Sequence, residues 1–239
     1  MILNQGYVIK RKSLDRQVER YTMRLVEASE IESVLKLQSL VYDGLTNKEI
    51  LYKDTKFEML EDINQGGMII GVFNSVDELI SYRYISFPGQ SKKNLGYDIH
   101  LDASQLSKVV HLETTLVSPD YRGNRLQSLT LSKAIELIEP MKMKHLLCTV
   151  SPYNIFSLYN IMNAGLSIKA LKKKYGDGHD GMWRFILHKN LNVEDALDAQ
   201  FKQLKMDSIQ EQKILIEKGY IGYNLIKESQ MIQYAMQCS

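Results

Sequence analysis

The stretch VVHLETTLVSPDYRGNRLQ, residues 109–127, decides the fold. Val109 to Val117 is rich in β-branched residues, which predicts a strand. Pro119-Asp120 breaks it. A helical pattern follows, with apolar positions at Leu126, Leu129, Ala134, Leu137 and Ile138. The turn between them carries the chemistry. Gly123 can take backbone angles closed to other residues. Asn124 reads as the helix N-cap, with Gln127 completing a capping box. The amides of Asn124 to Ser128 then leave the helix start without intrahelical acceptors, at the positive end of the helix dipole. Such a group binds anions, and a phosphate or pyrophosphate is the expected ligand. Arg122 and Arg125 add positive charge beside it. The plainer alternative is an ordinary capped helix after a strand.

Residues 117–124, VSPDYRGN, resemble the acetyl-CoA-binding motif of the GNAT superfamily of N-acetyltransferases. That family follows its fourth strand with an Arg/Gln-x-x-Gly-x-Gly/Ala turn. Arg122 and Gly123 match, whereas Arg125 and Gln127 stand where the pattern has Gly and Gly/Ala. Both are expected to be helical, where a side chain is sterically allowed. The resemblance covers roughly residues 21 to 188. It implies an acyl-CoA N-acyltransferase fold, a mixed, mostly antiparallel twisted sheet with helices on both faces and a central parallel strand pair. It also implies that Arg122, Gly123, Asn124, Arg125, Leu126, Gln127 and Ser128 hold the pyrophosphate of acetyl-CoA, and that Leu116 and Val117 pair with pantetheine. Asn154 is expected to hydrogen-bond to the same arm.

Working outward, residues 1–20 are basic and polar and read as an extension. Tyr21 to Val26 is the first predicted strand. Ser29 caps a helix to about Val41 whose apolar face Gln38 interrupts. A second helical segment runs near residues 48–63. Met68 to Phe73 and Leu79 to Phe87 read as a hairpin. Residues 88–107 read as a loop, either a substrate-side lid or a long solvated connection. Strand His145 to Val150 makes a parallel crossover with Val109 to Val117. A helix from Tyr153 to about Ala164 follows, then strands Leu166 to Lys174 and Gly181 to His188 joined at Gly176-Asp177-Gly178. This gives an N-acetyltransferase domain over 21–189. Residues 190–239 are expected to form a helical extension, with helices over Val193 to Lys205 and Asp207 to Lys218. Packing on the domain, lining the substrate site and a homodimer contact are all open to it.

Acyl transfer from a thioester needs a neutral amine, and an alkyl amine is mostly protonated at about pH 7. A nearby base removes that proton. His111 and Glu113, two apart on one strand, face the same side. Glu113 is the first candidate base and His111 the second, at positions where some members of the family carry two catalytic histidines. Backbone amides are expected to stabilise the oxyanion. The alternative is that the pair only hydrogen-bonds locally. The family's tyrosine acid does not align: its position is Ile161, and Tyr159 falls about 200° from it around the helix at roughly 100° per residue. Lys169, Lys172, Lys173 and Lys174 read as a CoA 3'-phosphate attractor or a solvated strand edge.

The 239 residues carry a formal net charge of +2, too balanced to argue for nucleic acid or membrane binding. Cys148 and Cys238 are far apart, and Cys148 reads as a buried thiol. Neither a signal peptide nor a long apolar span is seen, so the cytoplasm is the expected compartment. No metal-ligand spacing stands out. The expected activity is acetyl transfer from acetyl-CoA to a small-molecule or peptide amine. Two alternatives are a non-catalytic acyl-CoA-binding regulatory module and a turn that binds another nucleotide.

Overall fold

The computed structural model describes residues 1–12, 15–176 and 180–237. Its elements in chain order are β1 (Ile2–Lys12), β2 (Asp15–Leu25), α1 (Ile31–Asp43), α2 (Lys56–Asn64), β3 (Met68–Phe73), β4 (Leu79–Ser86), α3 (Ala103–Leu106), β5 (Val109–Val117), α4 (Leu126–Ile138), β6 (His145–Val150), α5 (Ile155–Asn163), β7 (Ser167–Lys174), β8 (Met182–Asn190), β9 (Leu197–Lys205), α6 (Ile209–Glu217), β10 (Tyr220–Ile226) and β11 (Met231–Gln237). The chain forms two compact units. The first comprises 1–48, 53–87 and 112–142; the second comprises 49–52, 88–111 and 143–239.

In the first unit β1-β2-β3-β4 pair antiparallel and β5 lies next in order. Adjacent residues of β4 show how it is covered. Tyr82 points its hydroxyl to Gln38 of α1, while Arg83 reaches Gln127 and Thr130 of α4. Successive strand residues project to opposite faces, so α1 and α4 cover opposite sides. Ile31, Val34, Leu37 and Val41 of α1 are buried, as are Met23, Ile69, Ile70, Tyr82 and Ile85 of the sheet. Burial of such side chains stabilises by about 1.5–3 kcal/mol each.

In the second unit the first residues of β5 pair in parallel with β6, Val109 with His145, Val110 with Leu146 and His111 with Leu147. Strands β6, β8, β7, β10, β11 and β9 then follow in antiparallel order. The sheet is thus mostly antiparallel, with one parallel pair, and has helices beside it. That is the expected fold class.

Several local expectations change. The first twenty residues are not a featureless extension: they form β1 and most of β2, paired from Asn4–Met23 to Lys12–Asp15. Residues 197–205, expected as helix, form strand β9 on β11. Its partner supplies the ladder bonds that a local propensity reading cannot see. Residues 209–217 are helical as expected. Segment 88–107 is folded rather than a free loop. Asn94, Leu95, Gly96 and Leu106 are buried, and Leu95 joins Val109, Leu147, Ala170 and Ile186 in one core cluster. The Asn94 amide donates to the carbonyls of Gly89 and Leu106, which fastens the segment. Of the Gly176-Asp177-Gly178 turn, Asp177 and Gly178 lie outside the described residues, as does Cys238. Cys148 is buried, as expected. No helix among the described residues is long and apolar enough to cross a membrane.

Candidate active site

The turn after β5 is built differently from the expected capping box. Asn124 does not cap α4. Its carbonyl oxygen accepts the Ile9 N–H at 2.8 Å, and its amide donates to the carbonyls of Ile9 at 2.8 Å and Tyr121 at 2.9 Å. Asn124 therefore ties the turn to β1. The N-cap is Arg125, and no side-chain cap bond is made there. Arg125 is not helical either: it sits at φ 56°, ψ 23°, in the left-handed region. Gly123, at φ 82°, is the other left-handed residue of the turn. So the backbone keeps the glycine-type conformation at 125, the position where the GNAT pattern has glycine, although the residue is arginine.

The first helical bond of α4 runs from the Leu129 N–H to the Arg125 carbonyl at 3.0 Å. The amides of Leu126 and Ser128 have no acceptor among the described residues. Three exposed arginines surround them. Arg122 and Arg125 flank the turn in sequence, and the Arg11 guanidinium lies so close that a Cβ on Gly123 would stand 2.8 Å from its Nη2. Arg11 is a cation the sequence reading passed over, because it comes from β1. Buried Arg83 braces the helix from below, donating from Nη2 to the Gln127 carbonyl at 3.0 Å and from Nε to Thr130 Oγ1 at 3.3 Å. Leu126 is buried, Gln127 half-buried and Ser128 exposed. Tyr121 anchors the other end, donating to Glu19 Oε1 at 2.5 Å and accepting from Asn74 at 3.1 Å.

On β5, the carbonyl of Leu116 accepts from Ser81 Oγ at 2.8 Å, and Val117 is half-buried. Half-buried Glu113 accepts from Ser86 Oγ at 2.7 Å. A second carboxylate, Asp54, faces the same region. Gln38 explains why it is there. The Gln38 amide donates to the Asp54 carbonyl at 2.8 Å and accepts the Asp54 N–H at 3.1 Å. The next residue, Thr55, caps α2 through a capping box with Glu58. The backbone of Asp54 is thus fixed on both sides. Its carboxyl is pushed up to about 7: burial is the main cause, the Glu113 and Glu58 charges add to it, and a Thr114 hydrogen bond opposes it. Asp54 Oδ2 and Thr115 Oγ1 are the two buried side-chain polar atoms without a partner among the described residues. Tyr84 donates to Asp62, and burial together with that bond raises the Tyr84 hydroxyl well above the usual phenol range.

The other expected site residues belong to the second unit. His111 is buried, and its Nε2 accepts the Leu95 N–H at 3.0 Å. Asn154 caps α5, accepting the Ser157 N–H at 3.1 Å. Its amide group keeps its donors free of any acceptor among the described residues. Tyr159 lies 5.2 Å under Lys227 Nζ, so its ring faces a cation just after β10, and Ile161 is buried. Of the β7 lysines, Lys173 is exposed and Lys169, Lys172 and Lys174 are half-buried. β7 is flanked by β8 and β10; Lys169 pairs with Asp195 at 2.9 Å, and Lys172 and Lys174 both pair with Asp98, at 3.1 and 2.7 Å. No cluster of metal-binding residues occurs among the described residues.

No family model and no curated protein matches the chain. Solved structures do match its fold. A GNAT superfamily phosphinothricin acetyltransferase from Sinorhizobium meliloti, in complex with acetyl-CoA, is 16% identical over 72% of this chain and 88% of its own, with a TM-score of 0.52. A GNAT-family acetyltransferase from Streptococcus pneumoniae is 16% identical over 72% of this chain and 99% of its own, at 0.54. A ribosomal-protein-alanine N-acetyltransferase from Brucella melitensis is 15% identical over 71% and 99%, at 0.52. The chain therefore has the acyl-CoA N-acyltransferase fold of the GNAT superfamily.

Proposed function

We propose that the protein is an acetyl-CoA-dependent N-acetyltransferase acting on a primary amine. The observation that carries this reading is the turn at 122–128. Two open amides at a helix start, a glycine at φ 82° and three arginines make a site suited to a pyrophosphate. Arg122, Gly123, Asn124, Arg125, Leu126, Gln127 and Ser128 hold that group, with Arg11 as an added clamp. Asn124 acts through β1, fixing the turn rather than the ligand. The Leu116–Val117 backbone is assigned to pantetheine. Acetyl-CoA supplies the acetyl thioester.

Glu113 takes the proton from the acceptor ammonium, and its charge is one of the causes that raise the neighbouring Asp54 carboxyl. Two neighbouring carboxylates hold a proton between them more readily than either alone. With the Asp54 carboxyl pushed up to about 7 beside it, Glu113 is the carboxylate placed to attract an ammonium and take its proton. Ser86 orients Glu113 through its hydrogen bond. His111 spends its Nε2 lone pair on Leu95, so its role is to position the folded segment 88–107. Departure of a thiolate, with a pKa near 8.5, needs no strong acid. The hairpin at residues 1–25 serves the turn through the Asn124–Ile9 bonds, residues 21–189 form the transferase domain, and the tail at 190–239 packs on it.

Kinetics test the assignment. Glu113→Gln is expected to lower turnover with an accepted amine roughly a hundredfold while acetyl-CoA binding persists. Unchanged turnover would remove Glu113 as base. Binding without turnover of any amine, in wild type and variant alike, would favour the regulatory-module alternative.

A further inference from the structure

Strand β8 carries a buried cation that closes no ion pair, although the Glu49 carboxylate acts on it from farther away. Arg184 is 3% exposed, yet no ion pair to it occurs among the described residues. A guanidinium has five N–H donors. Here two find acceptors: Nη1 donates to the Trp183 carbonyl at 2.9 Å, and Nη2 meets the weak acceptor Met182 Sδ at 3.5 Å. Burial lowers its pKa, with only the Tyr175 phenol and the Glu49 carboxylate acting in the other direction. Buried charges in folded proteins are normally paired, because an uncompensated one is costly. An arginine cannot escape that cost by losing its proton.

The surroundings are ordered. The Tyr175 ring centroid lies 5.4 Å from the guanidinium carbon. Tyr52 stacks on Tyr175 with centroids 4.3 Å apart and planes 16° from parallel. The Tyr175 hydroxyl is hydrogen-bonded to Thr149 Oγ1 at 2.7 Å. Tyr175 also sits at φ 62°, a genuine outlier for a bulky residue. Strain of this kind gathers at ligand clamps. All of these residues belong to the second unit.

We propose that Arg184 is the recognition residue of a small-molecule site in the second unit that takes the carboxylate of an organic acid, with the Tyr52–Tyr175 stack as its wall. The planar fork matches a carboxylate with two parallel hydrogen bonds. One positive charge balances one negative charge. A phosphate dianion fits less well, since Lys172 and Lys174 are committed to Asp98 and Glu49 adds negative charge nearby. The aromatic wall favours a ligand whose body beyond the carboxylate is small and partly apolar. This assignment stands without the transferase reading and can fail without it.

The test is a titration of the full chain with N-acetylglycine, and with the neutral N-acetylglycinamide as control, followed by NMR. The single tryptophan, Trp183, gives one indole N–H signal beside Arg184. The expected result is saturable binding of the carboxylate, about tenfold or more tighter than the amide, and reduced about tenfold or more in Arg184→Lys, which keeps the charge but not the fork. Arg184→Met is expected to melt at or above the wild-type temperature and to lose the discrimination, because it removes an unpaired buried charge. Equal affinity for the two probes, no saturable shift, or unaltered discrimination in Arg184→Met would overturn the assignment. So would a melting temperature of Arg184→Met several degrees below wild type, since Arg184 would then be a packing residue.

Discussion

Asp54→Asn should reverse a pH dependence that one buried carboxyl imposes on the whole fold. The Asp54 carboxyl titrates near 3.8 in an unfolded chain and at about 7 in the folded protein. An acid raised in this way binds more protons folded than unfolded between those values. Its contribution is therefore fully favourable below about pH 4 and is lost as pH rises through 7. At 1.36 kcal/mol per unit the full loss is about 4 kcal/mol, of which about 3 kcal/mol falls between pH 5 and 8. Asparagine preserves the shape and cannot ionise. The assay is urea unfolding of both proteins at pH 5, 6, 7 and 8. The stability difference between them isolates Asp54, because every other titrating group is common to the pair. The variant is expected to gain on the wild type by about 3 kcal/mol across that span. A difference that stays constant with pH would refute the reasoning, because Asp54 would then be ionised at all four values and not burdened by burial or by Glu113.

The turn gives a second prediction. Arg125 holds a left-handed backbone at a cost of about 1–2 kcal/mol, so Arg125→Gly should stabilise by about 0.5–1 kcal/mol after the entropy of glycine is counted; a lower melting temperature would contradict this. The same variant should bind acetyl-CoA more weakly if its charge serves the phosphates. Asn124→Ala should cost about 1–3 kcal/mol by leaving the Ile9 amide and carbonyl unpaired, with a raised KM for acetyl-CoA, and an unaltered KM would disconnect β1 from the site. A fourth prediction concerns His145 and His188, whose Nδ1 and Nε2 meet at 3.0 Å. Burial, helped by the neighbouring His145 charge, lowers His188 from 6.5 to about 4, and burial also lowers His145. The folded protein then binds fewer protons than the unfolded chain in this window, so stability falls as pH drops from 6.5 through 4, by about 3 kcal/mol for His188. Acid unfolding of His188→Phe should begin at lower pH than that of the wild type; coincident transitions would argue against the pair.

How much of this could be read from the chain depends on distance along it. Strands β3, β5 and β6 were legible to the residue, because each is an apolar or β-branched run bounded by turn residues. The turn after β5 was legible as strand, glycine and helix start. Its true cap was not, because Asn124 is drawn away by Ile9, 115 positions earlier. The same long reach hid Arg11. Gln38 was visible as a break in an apolar helix face, but its reason lay 16 residues on, in the backbone of Asp54. Asp54 itself carries no motif; only folding brings it near Glu113. Strand β9 failed as a sequence reading because its residues are mostly polar and exposed, and pairing with β11 decides its conformation. His111 and Glu113 were identified as a pair from spacing alone, yet their partners differ, a backbone amide for one and Ser86 for the other.

The central claim is that the turn at 122–128 binds acetyl-CoA. Calorimetric titration of the full chain with acetyl-CoA, beside ATP as a control, tests it directly. Gly123→Asp provides the matched variant, since it places a side chain at φ 82° and a negative charge beside Arg11. The account predicts saturable binding of acetyl-CoA by the wild type, preference over ATP, and loss of binding in the variant. No binding of acetyl-CoA, or equal binding by the two proteins, would contradict it.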